Sequence, residues 1–274
     1  MPNVRGNVLA ITAVVMARHF LLLVFAALLP SAALAQEEPA QPVQELFFTE
    51  TVYPQDKGEV QLTFTSHVDG QSERAAIFPA TVELGLTDHW QIEASWSGYA
   101  ASFHSPSDVQ TSGYSFGTKY SFMNIGHSQV HAAIGLDVEL PNESAFADDV
   151  GEDNAEYEPF LALAVDLTRH VTLFGSAGIS VEARDLIERE RLDDTGTIGA
   201  GGLVAFHYVT VALEYTNRSD KLPWRDNGSP LITPAIVVHP GHKWELGFGL
   251  PIGTRAGEHK PGFAMNILKE FGGE

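Results

Sequence analysis

Between Leu46 and Phe271, large apolar residues alternate with small or polar ones in about a dozen short segments. In Trp90-Gln91-Ile92-Glu93-Ala94-Ser95-Trp96-Ser97 one parity is apolar and the other polar, and a period of two puts the two sets on opposite faces of a strand. The segments fall at 59–66, 76–86, 90–99, 113–122, 129–140, 156–167, 171–182, 196–206, 208–216, 230–239, 243–251 and 261–271. Their number is even, as closure of an antiparallel barrel requires.

The connections alternate as well. Thr87–His89, Asn124–Ser128, Thr168–His170, the junction at His207 and Pro240–His242 are short, whereas Ala100–Ser112, Pro141–Ala155, Ala183–Thr195 and Asn217–Ser229 are long. Tight turns at one rim and loops at the other predict an all-β fold, an antiparallel up-and-down transmembrane β-barrel of about 12 strands. In that architecture the short turns are periplasmic, the long loops face outward and both ends of the barrel lie on the periplasmic side.

Facing decides between a membrane barrel and a soluble one. One parity collects Val60, Leu62, Phe64, Val82, Leu84, Ile134, Leu136, Leu161, Leu163, Leu213, Trp244 and Phe248, and the other collects Gln61, Thr63, Glu83, His131, Asp137, Asp166, Glu214 and Glu245. The polar set is too charged to line an apolar ligand cup and too interrupted by Gly and Ala for a well-solvated exterior. Lipid outside and a wet lumen inside fit both sets. Trp90, Tyr120, Phe122, Tyr208, Trp244 and Phe271 mark the short-turn ends, and Tyr99, Phe103, Tyr114 and Tyr157 the long-loop ends, as two interfacial girdles would. Pro79 and Pro234 fall inside the segments, where each removes a ladder donor. In 230–239 the expected inward parity is Ile232, Ile236 and Val238.

The start of the chain reads as an export signal: Arg18, a ten-residue apolar run from Phe20 to Leu29, Pro30, and Ala33-Leu34-Ala35 before a cleavage at Gln36. The expected organisation is 1–35 signal peptide, 36–58 periplasmic lead-in, 59–271 barrel and 272–274 tail. With Pro39 and Pro42 in a polar stretch, the lead-in reads as a linker too short to fold as a plug. With no Cys in the chain there is no disulfide framework or thiolate chemistry. Losing residues 1–35 removes Arg5 and Arg18 and no acid, moving the formal charge from −19 to −21. So acidic a chain is not a nucleic-acid binder. The expected location is the bacterial outer membrane, with lipid, lipopolysaccharide and the barrel assembly machinery as partners.

Leu84-Gly85-Leu86-Thr87-Asp88-His89-Trp90-Gln91-Ile92-Glu93 carries a strand through a Gly-Leu-Thr-Asp turn into an acidic strand that starts on an aromatic residue. Val165-Asp166-Leu167-Thr168-Arg169-His170-Val171 repeats the form, and Glu245 to Gly253 has the look of a penultimate barrel strand. These hairpins resemble those of the outer-membrane family named for the meta-pathway of phenol degradation. The resemblance implies a transporter-like barrel and assigns no solute.

Candidate chemistry gathers in the inward charges. Glu83, Glu93, Lys119, His131, Glu214 and Glu245 share the periplasmic half of the lumen, with Asp166 slightly lower. Unpaired like charges across a narrow lumen are costly, so Lys119 and His131 are expected to pair with carboxylates. One reading is a constriction for cations or donor-bearing solutes; the other is a salt-bridged polar filling that holds a non-conducting barrel together. His89, His127, His170, His207, His239 and His242 mark the short-turn rim but sit on different hairpins, so no metal site or cofactor is expected. Ser176 and Ser180 alternate inward without a matching His, and no Gly-x-Ser-x-Gly elbow occurs, so the chain does not read as an enzyme. The acidic run Asp148 to Asn154 lacks a full calcium-loop pattern. The expected function is a passive channel or facilitator for small solutes, hydrophobic or cationic. Alternatives are a structural or envelope-interaction barrel and an embedded lipid-modifying enzyme.

Overall fold

The computed structural model describes residues 43, 45–68, 74–96, 99–102, 110–111, 113–140, 155–182, 195–219, 228–241, 243–254 and 261–273. The expected signal segment 1–35, Phe103 and the acidic run 148–154 lie outside them. The strands are β1 (Val60–Val68), β2 (Ala80–Thr87), β3 (Trp90–Trp96), β4 (Tyr114–Phe122), β5 (Val130–Leu140) and β6 (Glu156–Thr168). They continue as β7 (Val171–Glu182), β8 (Thr195–Ala205), β9 (Val209–Ser219), β10 (Ser229–Gly241), β11 (Trp244–Gly249) and β12 (Phe263–Phe271). Four short pieces, Arg74–Ile77, Tyr99–Ser102, Gln110–Thr111 and Ile252–Gly253, extend β2, β3, β4 and β11.

Each strand pairs antiparallel with the next, and β12 pairs with β1 from Val60 opposite Phe271 to Val68 opposite Phe263. The sheet is therefore a closed twelve-stranded barrel with no free edge. At two of the short turns the preceding Thr accepts a backbone N–H, His89 N to Thr87 Oγ1 at 3.3 Å and His170 N to Thr168 Oγ1 at 3.2 Å. The repeated Thr-x-His is thus a turn device.

The outer wall carries the large apolar parity. Phe64, Val82, Ile134, Leu136, Leu161, Leu163, Leu213 and Phe248 are all exposed there, and Trp90, Tyr120, Phe122, Tyr208, Trp244 and Phe271 are exposed at the short-turn rim. Lys269 reaches over the Trp244 ring at 4.9 Å, a cation held at an aromatic girdle. The two prolines sit where the ladder is already broken. Phe78-Pro79 separates Arg74–Ile77 from β2, and opposite Pro234 the eleventh strand is interrupted at Leu250-Pro251. Both proline carbonyls still accept, from Thr65 N at 3.1 Å and Leu250 N at 3.0 Å.

The structure corrects two expectations. In β10, Ile232 and Ile236, with Val238 on the same parity, belong to the outer wall, while Thr233, Ala235 and Val237 are buried on the lumen side. Register fixes this, because Thr233 stands opposite Glu214 and Ala235 opposite Ala212; apolar residues on both faces of the strand conceal its parity.

The second correction concerns 36–58. Its described part, residues 43 and 45–58, is not a lead-in outside the barrel but an insert within the lumen, where Val43, Val52 and Gln55 are buried. Between their polar positions, the inward faces of β5, β6 and β8 to β10 carry mostly small apolar residues, Ala133, Ala162, Ala164, Leu203, Ala205, Ala212, Ala235 and Val237. Val43, Leu46, Phe47, Val52 and Tyr53 pack on that surface and remove it from water.

Candidate functional site: the lumen and its insert

Register links the lumen-facing acids across half the barrel. Glu270, Gln61, Glu83, Glu93, Gly117, Asp137 and Glu158 form one unbroken series of cross-strand partners from β12 through β1 to β6. Strand tilt carries this row from the short-turn end of β12 towards the long-connection end of β6. Like charges directly opposite one another repel, and Glu83 stands opposite Glu93. Neutral donors offset this: Gln61 Nε2 and Gln91 Nε2 donate to Glu83 at 3.0 and 2.7 Å. Lys119, opposite Gln91, lies within electrostatic reach of Glu93, Asp137 and the inserted Glu45 and Glu50.

The seven candidate residues lie on the lumen face but divide into separate groups. Glu83 and Glu93 are neighbours in the acidic row, with Lys119 one row away. His131 Nε2 meets Asp166 Oδ2 at 3.0 Å, and His239 Nδ1 meets Glu245 Oε1 at 3.6 Å. Glu214, with no exposed surface, belongs to the insert's seat. Asp137, Glu158 and Glu270 extend the acidic row beyond the candidate set; all three sit on the polar parity of their strands, which is the signal that finds them. Ser176 lies in the lumen beside Gly199. No group of three or more metal-ligating side chains forms among the described residues.

The insert meets the wall through its polar residues on one side and its apolar residues on the other. Phe47 N and Phe48 N donate to Glu214 Oε1 and Oε2, each at 3.0 Å, so both carboxylate oxygens are engaged by consecutive amides. Tyr53 Oη donates to Asp166 Oδ1 at 3.1 Å, and Thr172 Oγ1 donates to the same oxygen at 2.6 Å. Burial, and then the Asp166 charge, hold the Tyr53 phenol well above its ordinary value, so it stays a donor. Gln55 donates through N to Gln91 at 3.0 Å and through Nε2 to Gln61 at 2.6 Å and Glu83 at 3.2 Å.

Glu45 accepts from Gln61 Nε2 at 3.2 Å. Burial, followed by a hydrogen bond with Glu83, pushes the Glu45 carboxyl well above the usual range. At the rim Gly58, whose φ of 76° suits glycine, turns the chain into β1 and donates to Gly85 O at 2.8 Å. The chain here thus tethers a segment that touches β1, β2, β3, β6 and β9.

A closed antiparallel barrel with charged and amide side chains on its inner wall has the construction of a pore-forming or scaffold barrel. Among solved structures, the chain is similar to a KdgM porin, with a TM-score of 0.53 at 9% identity, covering 78% of this chain and 99% of that one. It is likewise similar to a KdgM porin in complex with disordered oligogalacturonate, with a TM-score of 0.52 at 8% identity, covering 79% of this chain and 99% of that one. The shared property is the fold. No family model and no curated protein matches the chain, so the resemblance to the meta-pathway family stays one of hairpin motifs and does not show membership.

Proposed function

We propose that the protein is an outer-membrane channel for small solutes whose lumen favours cations. The observation that carries this is where the wall's polar groups find partners. Glu214, Gln91 and Asp166 are met by the insert, which belongs to no strand of the wall, while the His131–Asp166 and His239–Glu245 pairs join adjacent strands. A barrel whose own wall knits across the lumen is a scaffold; one whose lumen is filled by a tethered segment has a space to open. The apolar outer wall supports a lipid surround, with lipopolysaccharide and the barrel assembly machinery as the partners of such a protein. Acids outnumber cations along the wall, so the lumen potential is negative and repels anions. An acidic wall of this kind disfavours a polyanion such as the oligogalacturonate bound by the similar porin.

The experiment is a planar-bilayer recording under a potassium chloride gradient, made on the mature chain and on a form lacking residues 36–57. A cation-selective reversal potential, weakened by Glu83→Gln with Glu93→Gln, is the expected result. Anion selectivity overturns the charge argument. A folded, truncated barrel that passes no current overturns the channel and leaves the scaffold reading.

A further inference from the structure

We infer that the seat of Phe47 is a binding site for protonated 2-arylethylamines bearing a ring hydroxyl, and that the N-terminal insert occupies it as a tethered stand-in. The inference rests on the channel reading for the solute's route and deepens it by naming a solute class. The backbone nitrogen, Cα, Cβ and ring of a phenylalanine are the skeleton of a 2-phenylethylamine. In Phe47 that nitrogen lies 3.0 Å from Glu214 Oε1.

The ring end of the seat lies against two glycines, Gly247 and Gly249. A Cβ on Gly247 would come within 3.0 Å of Phe47 Cζ, and one on Gly249 within 3.2 Å of Cδ2 and Cε2, so these glycines give the ring its place. Glu214 is fully buried, and a buried carboxylate is stable only when donors satisfy it. An ammonium satisfies it better than two neutral amides, because a charge-assisted hydrogen bond is the stronger one.

An independent observation sits at the far end of the ring. Asn266 Oδ1 is buried without a hydrogen-bond partner, and it crowds the same point above Gly247 that Phe47 Cζ approaches. The para carbon of the ring and an unsatisfied acceptor therefore lie close to one point above Gly247. A hydroxyl on that carbon would have Asn266 as a nearby acceptor, which phenylalanine cannot use. The seat thus offers an anion for the amine, two glycines beside the ring and an acceptor near a para hydroxyl.

The absence of cysteine allows a single-site reporter. Val52→Cys places a thiol on the insert, in its apolar contact and away from the Glu214 bonds. Folded, full-length mature protein in detergent is titrated with tyramine while labelling by a water-soluble thiol reagent is timed. If tyramine takes the seat, the insert is released, and at ten times its Kd the labelling rate rises about tenfold. Phenylethylamine should act at higher concentration, and ethylamine and 3-phenylpropionate should have no effect. Asn266→Leu should remove tyramine's advantage over phenylethylamine, and Glu214→Gln the response to both.

Labelling that ignores tyramine, or that responds equally to ethylamine or to 3-phenylpropionate, overturns the inference whether or not either variant folds. Bilayer recordings separate the two readings. Current with no amine effect on labelling leaves the channel and removes the site, whereas amine-released labelling with no current keeps the site and removes the channel.

Discussion

Replacing Glu214 by Ala tests what holds the insert in the lumen. The carboxylate accepts from Phe47 N and Phe48 N at 3.0 Å each, and a hydrogen bond to a charged group contributes about 1.5–3 kcal/mol. Removing both would cost about 3–6 kcal/mol, but the space vacated by the side chain admits water that re-satisfies part of the two amides, leaving a loss of about 2–3 kcal/mol. At about 1.4 kcal/mol per factor of ten, the undocked population rises roughly 30- to 150-fold. Amide hydrogen exchange in detergent reads this directly, since protection of Phe47 and Phe48 falls by that factor when exchange goes through undocking. Glu245→Ala is the control, because that carboxylate faces His239 on the neighbouring strand. Unchanged protection of Phe47 and Phe48 in a Glu214→Ala barrel that is still folded refutes the latch.

Leu163 is 49% exposed on the outer wall; Leu163→Arg should cost about 2–4 kcal/mol of folding into lipid vesicles, and a wild-type urea midpoint would contradict the lipid-facing assignment. Gly201 stands opposite Glu214, and a Cβ there would run into the Leu213 carbonyl and come within 2.6 Å of the Phe174 ring. Gly201→Val should therefore destabilise the barrel by about 1–3 kcal/mol, read as a lower urea midpoint, and an unshifted midpoint would show that the contact is soft. Glu45 holds its proton more tightly when docked than at its ordinary value of 4.5, so docking binds a proton: it is tightest below that value and weakens as pH rises through the raised one. A spin label at Val52→Cys should report a growing mobile fraction with rising pH, flattened by Glu45→Gln; a trend in the opposite direction would exclude this linkage.

The strands, their faces and the closure of the barrel are legible in the sequence because each follows from a local rule. A period of two sorts residues between two faces, and a sheet in lipid needs an apolar outer face and no free edge. Glu83, Glu93 and Glu214 could be placed in the lumen on that rule alone. Where both parities are apolar, as at Ile232, Ala235 and Val237, the rule gives no answer, and only register with β9 assigns the faces. The occupant of the lumen is a different kind of property. Leu46-Phe47-Phe48 and Val52-Tyr53 are apolar for a linker, but local pattern does not say what they cover. That depends on the volume left by inward Ala and Gly residues on strands far along the chain, and on a carboxylate 167 residues from Phe47. The alternation determined the wall; only the closed barrel, by creating a buried carboxylate and an apolar surface that both needed partners, decided that the N-terminal segment would fill it.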